Sequence, residues 1–319
     1  MIQDIKNILS GFVSKIPPTV IGPEKVNFIV EHIKEIPQDQ KLLLHKFINH
    51  VLTTMVERNA SDIELGGYGC GNYIWFRIYG KKERAKDLPT LTPDESTVLI
   101  ISLLNLNQSK HLLISRNLDF SYSFHYETLN KAIRFRADAY FDLDTIALNM
   151  RSISAEVRSI DSLGFHPYAV KMMSHNYMKF GLSLVTGITG SGKSTTLDSV
   201  IDYHNKFDPA HIVIIAAPIE YVHKSNVSIV RHREVGRDVL SFKEGVIQAL
   251  RQDPDIIVIG EMRDPDTIMA ALEVTDTGHK VFSTLHTRDA KGALSRIVDM
   301  FPSEQTKSLC LQLSFSLSF

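Results

Sequence analysis

The chain has 319 residues, 44% apolar and 22% charged, with a formal net charge of −1, which suits two globular domains and excludes a disordered chain. Near-zero charge argues against a nucleic-acid groove as the main activity, because phosphate-backbone binding needs a clear basic surplus. Two distant cysteines, Cys70 and Cys310, match no metal-ligand spacing and point to a reducing cytoplasmic compartment. The N-terminus lacks the uninterrupted apolar core of a secretory signal. The longest apolar run, Ile212–Ile219, is far short of the roughly 20 residues that cross a bilayer, so no direct membrane span is expected and any membrane association runs through a partner.

Residues 1–58 read as a helical extension, in which Leu44, Phe47, Ile48, Val51, Leu52 and Met55 recur at helical spacing between Gln40 and Glu57. From there to residue 153 the pattern alternates over short runs, SDIEL, YIWFRIYG, LDFSYSF, IRFRADAYF and IALNMRSI, so a strand-rich domain is expected. One helix is expected inside it after Thr92, where Pro93, Asp94 and Glu95 supply start signals. Arg134 and Arg136 fall on one face of a strand and Arg151 follows on the next. Two readings stay open for them: a solvated face with ordinary ion pairs, or guanidiniums that reach a phosphate bound elsewhere.

Residues 154–167, polar and punctuated by Gly164 and Pro167, read as a linker. Over 168–319 the strands Leu182–Val185, Ile212–Ile215, Ile256–Ile259 and Val281–Thr284 alternate with helices, and several of them are uniformly apolar, as in a mainly parallel sheet covered on both faces. Between the first strand and its helix lies GITGSGKST, which fits the phosphate-binding G-x-x-x-x-G-K-[ST] loop in the required context. Gly187, Gly190 and Gly192 let the backbone wrap a phosphate, with Thr189, Ser191 and Thr195 completing the loop. Lys193 is placed to meet the β/γ-phosphates, and the Ser194 hydroxyl to ligate Mg²⁺. NKFD, Asn205–Asp208, resembles a guanine-specificity motif but follows the loop too closely, so a turn with solvated charges, and adenine, are expected.

DPDIIVIGEMRD presents Glu261 at a strand's C-terminal end, where parallel sheets bind ligands; it reads as the hydrolytic acid/base or, alternatively, as a surface acid paired with Arg263. TGHKVFSTLHT places His279 before a strand and His286 after it. His286 is positioned to sense a γ-phosphate, and His279 is as readily a local structural contact.

ASDIEL, RFRAD, GITGSGKSTT, PIEYVH, REVGRDVLSF, ALRQDPDIIVIGEMRD and TGHKVFSTLHT occur in this order, and with them the chain resembles the secretion and pilus motor ATPase superfamily, most closely its PilT-like retraction branch. The resemblance spans roughly residues 60–302. It implies a PAS-like α+β N-terminal domain over 59–153, a RecA-like P-loop domain over 168–319, and a homo-hexameric ring. ATP and Mg²⁺ would sit between the two domains, with Arg134, Arg136 and Arg151 closing on the phosphates, Glu261 as the Walker B glutamate and His286 in the histidine box. The implied work is ATP-driven pilin extraction at the cytoplasmic face of the inner membrane, through a platform protein; the ATPase of a Dot/Icm-type secretion system is the neighbouring alternative. Two departures stand out. The family's Glu-Asp-Pro-Ile-Glu box is replaced by Ala216, Ala217, Pro218, Ile219 and Glu220, which raises the alternative of a chain that binds ATP but hydrolyses it slowly. LQLSFSLSF, at the other departure, suggests an exposed apolar helix and a truncated C-terminal region.

Overall fold

The computed structural model describes residues 2–126, 131–153 and 156–318. Two units are resolved, Met1–Ile153 and Ser154–Phe319. Ser154, Ala155 and Phe319, which the linker and chain-end expectations include, lie outside the described residues.

In the first unit three helices, α1 (Ile2–Val13), α2 (Pro23–His32) and α3 (Gln38–Glu57), precede the sheet. They are not a separate extension in packing, because Ile5, Leu9, Val26 and Phe47 share one core with Phe76 and Phe135 of the strands. The strands β1 (Ala60–Gly66), β2 (Trp75–Ile78) and β3 (Lys81–Arg84) lead into helices α4 (Pro93–Ser102) and α5 (Leu106–Ser115). β4 (Asn117–Tyr126), β5 (Lys131–Asp142) and β6 (Thr145–Ile153) then complete an antiparallel sheet of order β3-β2-β1-β6-β5-β4. The start signals after Thr92 form a full capping box, and Glu95 also takes Lys6 at 2.7 Å, which ties α1 to α4. α5 and β3 were not expected; Asn105 and Gln108 form a second capping box whose signal is as plain as the first.

Period-two alternation sends Phe135, Ala137 and Ala139 into the core and Arg134, Arg136 and Asp138 to the other face. Register sets Arg136 opposite Arg151, and Arg151 opposite Asp62. The three arginines therefore do share one face.

In the second unit the segment read as a linker carries a 3-10 turn over Ile160–Leu163, and Ile160 is buried. Helix α6 (Pro167–Met173) precedes β7 (Gly181–Gly187), which is followed by α7 (Lys193–Phe207), β8 (His211–Ala216) and β9 (Ile229–Glu234). α8 (Phe242–Ala249), β10 (Ile256–Ile259), α9 (Pro265–Asp276), β11 (Lys280–His286), α10 (Ala290–Asp299) and α11 (Thr306–Ser316) follow. All five strands are parallel, in the order β7-β11-β10-β8-β9. The uniformly apolar strands are explained by two cores. Ile212, Ile214 and Val258 pack with Val200 of α7 on one face, and Val213, Ile215 and Ile257 pack with Val246 of α8 and Ile268 of α9 on the other.

Two expectations fail here. Asn205 and Asp208 are 4% and 1% exposed, so this turn is not solvated: Asn205 holds Lys224 O and Asn226 N, and Asp208 holds His204. The stretch ends α7 at the sheet edge away from the glycine loop, which also removes it from any base-recognition role. The apolar α11 is only half exposed, because Leu309 and Leu313 enter the core while Leu311 and Phe315 face out.

Candidate nucleotide site

Parallel strands bring their C-terminal ends to one edge, and this sheet collects there the glycine loop after β7, His286 at the end of β11, Glu261 just after β10, and Ala216 at the end of β8. Gly190 and Gly192 have φ of +81° and +93°, which only glycine adopts cheaply, and a Cβ at Gly187 would run into Ser191 Oγ. α7 starts directly from this loop with no side-chain cap. Its first N–H groups are therefore aimed at the loop and offer an anion site reinforced by the helix dipole.

Lys193 is 8% exposed, and its ammonium donates to Gly187 O and Ile188 O at 3.0 Å each and to His286 Nδ1 at 3.3 Å. An ammonium only donates, so Nδ1 of His286 must accept, which leaves the ring proton on Nε2. That nitrogen faces Glu261 Oε1 at 3.5 Å, while Glu261 Oε2 pairs with Arg263 at 2.7 Å. β7 and β10 are two strand steps apart, about 10 Å at the usual spacing. Lys193 follows β7 and Glu261 follows β10, and His286 on the middle strand contacts both. Glu261 is thus paired with Arg263 and also connects to the loop through His286.

Ser194 and Thr195 are exposed in the first turn of α7, and Thr189 and Ser191 at the loop. Among the described residues no group of three or more His, Cys, Asp or Glu side chains could hold a metal by itself. A Mg²⁺ here would therefore rest on Ser194 together with phosphate oxygens and water, which is how that ion is commonly held. Cavities of about 270 Å³ and 850 Å³ adjoin the loop. The first is bounded by Ser191, Lys193 and Phe165, and the second by Thr189, His286 and Arg288.

His279 lies at the opposite end of β11, where Nδ1 meets Thr277 Oγ1 at 2.9 Å, a local structural contact. Ala216 has its side chain on the α7 face, and a Cβ on Gly260 of the neighbouring strand would approach it to 2.9 Å. Its register partner Glu234, 4% exposed, accepts from Ile219 N at 3.1 Å. In the N-terminal unit Arg151 Nε meets Asp62 at 2.7 Å and Arg136 meets Asp119 at 3.4 Å; Arg134 lies on the same face. Sequence reasoning did not single out Thr284, whose hydroxyl donates to Gly260 O at 2.7 Å and ties the Glu261 segment to β11. Its only signal was a hydroxyl beside Ser283 in a strand that also carries Lys280 and His286.

No described helix is long and apolar enough to cross a membrane. The family model "Type II/IV secretion system protein" matches residues 37–318. A twitching motility protein of Neisseria gonorrhoeae is 40% identical over 242 residues, 76% of this chain and 62% of that protein. The type IV pilus retraction ATPase PilT of Pseudomonas aeruginosa is 38% identical over 270 residues, 85% of this chain and 75% of that protein. Among solved structures, the pilus retraction motor PilT with bound ADP superposes with a TM-score of 0.71 at 40% identity, over 84% of this chain and 75% of that one. The DotB ATPase of Legionella pneumophila superposes with a TM-score of 0.75 at 28% identity, over 85% and 74%. With the loop, the strand order and the Lys193–His286–Glu261 contacts in place, the chain belongs to the type II/IV secretion system protein family, on its PilT-like ATPase branch.

Proposed function

We propose that this protein is a motor ATPase that binds ATP with Mg²⁺ at Gly187–Thr195 and couples hydrolysis to pilus retraction. The observation that carries the reading is the unbroken run Lys193–His286–Glu261–Arg263 across the ends of three adjacent strands, beside an uncapped helix start. The bound nucleotide supplies the phosphoanhydride to be cleaved, and Mg²⁺ neutralises its charge. Gly187, Thr189, Gly190, Ser191 and Gly192 line the phosphates with backbone N–H groups, Lys193 and Thr195 flank them, and Ser194 is the metal ligand. Glu261 orients the attacking water and takes its proton. His286 links the position of the Lys193 ammonium to that of Glu261, so phosphate contact at the loop bears on the base. The same reading gives Arg134, Arg136 and Arg151 a charge-stabilising role. A homo-hexameric ring acting on an inner-membrane platform protein from the cytoplasmic side fits the relatives named for twitching motility and pilus retraction. The secretion-system family model, with the likeness to the ATPase DotB, keeps a secretion machine as the alternative client.

A second reading, nucleotide binding with slow hydrolysis, is favoured by Ala216 alone. Ala216 lies one strand step further from β7 than Glu261 does, and Glu261 supplies a carboxylate nearer the loop. Steady-state phosphate release from the chain, from Ala216→Glu and from Glu261→Ala separates the two. A working motor turns over and loses turnover in Glu261→Ala. No turnover in a chain that binds ATP with Mg²⁺ rejects the motor reading, and a rate that rises by tenfold or more in Ala216→Glu establishes the impaired one.

A further inference from the structure

The segment after β10 is fixed at both ends and in the middle. Gly260 O accepts from Thr284 Oγ1 at 2.7 Å, and Met262 N donates to Thr284 O at 3.2 Å while its side chain, 1% exposed, enters the core. Asp264 then caps α9, accepting from both the backbone N–H and the hydroxyl of Thr267 at 2.8 Å. Glu261 and Arg263, which flank the buried Met262, emerge on the same side and pair at 2.7 Å. The pairing therefore follows from anchored backbone rather than from two drifting surface chains. It also divides the work of the carboxylate, since Oε2 is held by Arg263 and Oε1 faces His286.

We propose that Arg263 is a positioning residue for hydrolysis: by holding Oε2 it keeps Oε1 of Glu261 turned toward His286 and the phosphate loop. This rests on reading Glu261 as the group that orients the attacking water. A glutamate on an open sheet edge samples three side-chain torsions, and only some of them aim an oxygen at a reacting atom. A planar guanidinium, anchored two residues away, removes that freedom in a way a lysine ammonium reproduces only in part. The arginine side chain is 59% exposed, so the pair adds little to stability and a purely structural role would leave no kinetic trace.

The test is steady-state ATP hydrolysis and direct MgATP binding by the full chain carrying Arg263→Met, Arg263→Gln or Arg263→Lys, each also in a Glu261→Gln background. The expected result is a kcat at least tenfold lower in the Met and Gln variants, nucleotide Kd within twofold, an unchanged melting temperature and partial recovery in Lys. In the Glu261→Gln background Arg263→Met adds nothing, because no base remains to be held. Wild-type kcat in the Met and Gln variants beside an inactive Glu261→Gln overturns the positioning role and leaves Glu261 standing. A loss confined to Kd also overturns it. Full turnover in Glu261→Gln rejects the base assignment itself, and with it this inference.

Discussion

The two edges of the parallel sheet carry the same kinds of side chain, a lysine, a histidine and a carboxylate, and treat them in opposite ways. At the C-terminal edge His286 and Glu261 keep 41% and 20% of their side chains exposed, and each contacts the next in line toward Lys193. At the N-terminal edge Lys280, His204 and Asp208 are 0%, 1% and 1% exposed. There Lys280 donates to Met178 O at 2.9 Å, His204 meets Asp208 at 2.6 Å, and Asn176 also bonds Asp208. Burial holds the Lys280 ammonium down to about 8, with the Asp208 charge opposing that shift, and burial likewise lowers His204 against the pull of Asp208. At the open edge Glu261 and His286 keep solvent-facing surface beside the phosphate loop. The groups at the closed edge are buried and occupied by each other and by the chain entering β7.

The comparison breaks most visibly at the open edge. Glu261→Gln is expected to lower kcat by two to three orders of magnitude, about 3–4 kcal/mol of barrier, with nucleotide affinity and melting temperature nearly unchanged. His286→Ala moves in the same direction by less. Phosphate-release assays alongside thermal melts check both, and a lowered melting temperature in Glu261→Gln would place that acid among the structural groups.

Asp208→Ala probes the closed edge. It leaves the His204 ring N–H and the Asn176 amide without their shared carboxylate and removes the negative charge that acts on Lys280, a defect that costs about 3 kcal/mol. A melting temperature lower by several degrees is expected, with turnover per folded molecule preserved when measured well below the transition.

These edges differ in how far the sequence disclosed them. The glycine loop is a contiguous pattern with a strand before it and a helix after it, so Gly187–Thr195 could be read directly. The arginine face could be read too, because strand alternation is local and the Arg134–Arg136 spacing is enough. Asn205 and Asp208 misled, because their burial depends on Lys224, Asn226 and Ser228, which arrive from a loop about twenty residues later and close over the end of α7. Lys280 was hidden for a similar reason: its acceptors, Met172 O and Met178 O, lie about a hundred residues earlier in the chain leading into β7 and have no side-chain signature. Glu261 and Arg263 were legible as a pair, but the reach through His286 depends on β11 lying between β7 and β10.

Lys280 sharpens the contrast through pH. Its ordinary value of 10.5 applies to the unfolded chain, which therefore binds more protons than the folded one between about pH 8 and 10.5, so stability rises with pH across that window. The slope from this group approaches about 1.4 kcal/mol per pH unit. Cys70, pushed up to about 11 by burial, and the half-buried Tyr122 hydroxyl, pushed up to about 12, act in the opposite sense at the alkaline end. Denaturant melts of the wild type and of Lys280→Met, compared at the same pH values from 7.5 to 9.5, cancel those shared contributions. The wild type is expected to gain on the variant as pH rises, and a constant difference would mean that Lys280 keeps its proton-binding unchanged on folding.

The smallest effect belongs to His279, which sits at the start of β11, the strand that ends in His286. Its ring meets only Thr277 Oγ1 and Val274 O among the bonds at that corner, at 2.9 Å and 3.3 Å, and it is half-buried. His279→Ala removes the local contacts of one ring nitrogen, about 1 kcal/mol, and touches nothing on the opposite edge. Its melting temperature should fall by a few degrees with kcat unchanged, the mirror image of His286→Ala. If His279→Ala instead lowers kcat while leaving the melt alone, the two ends of β11 are coupled and the division between a chemical and a structural edge fails.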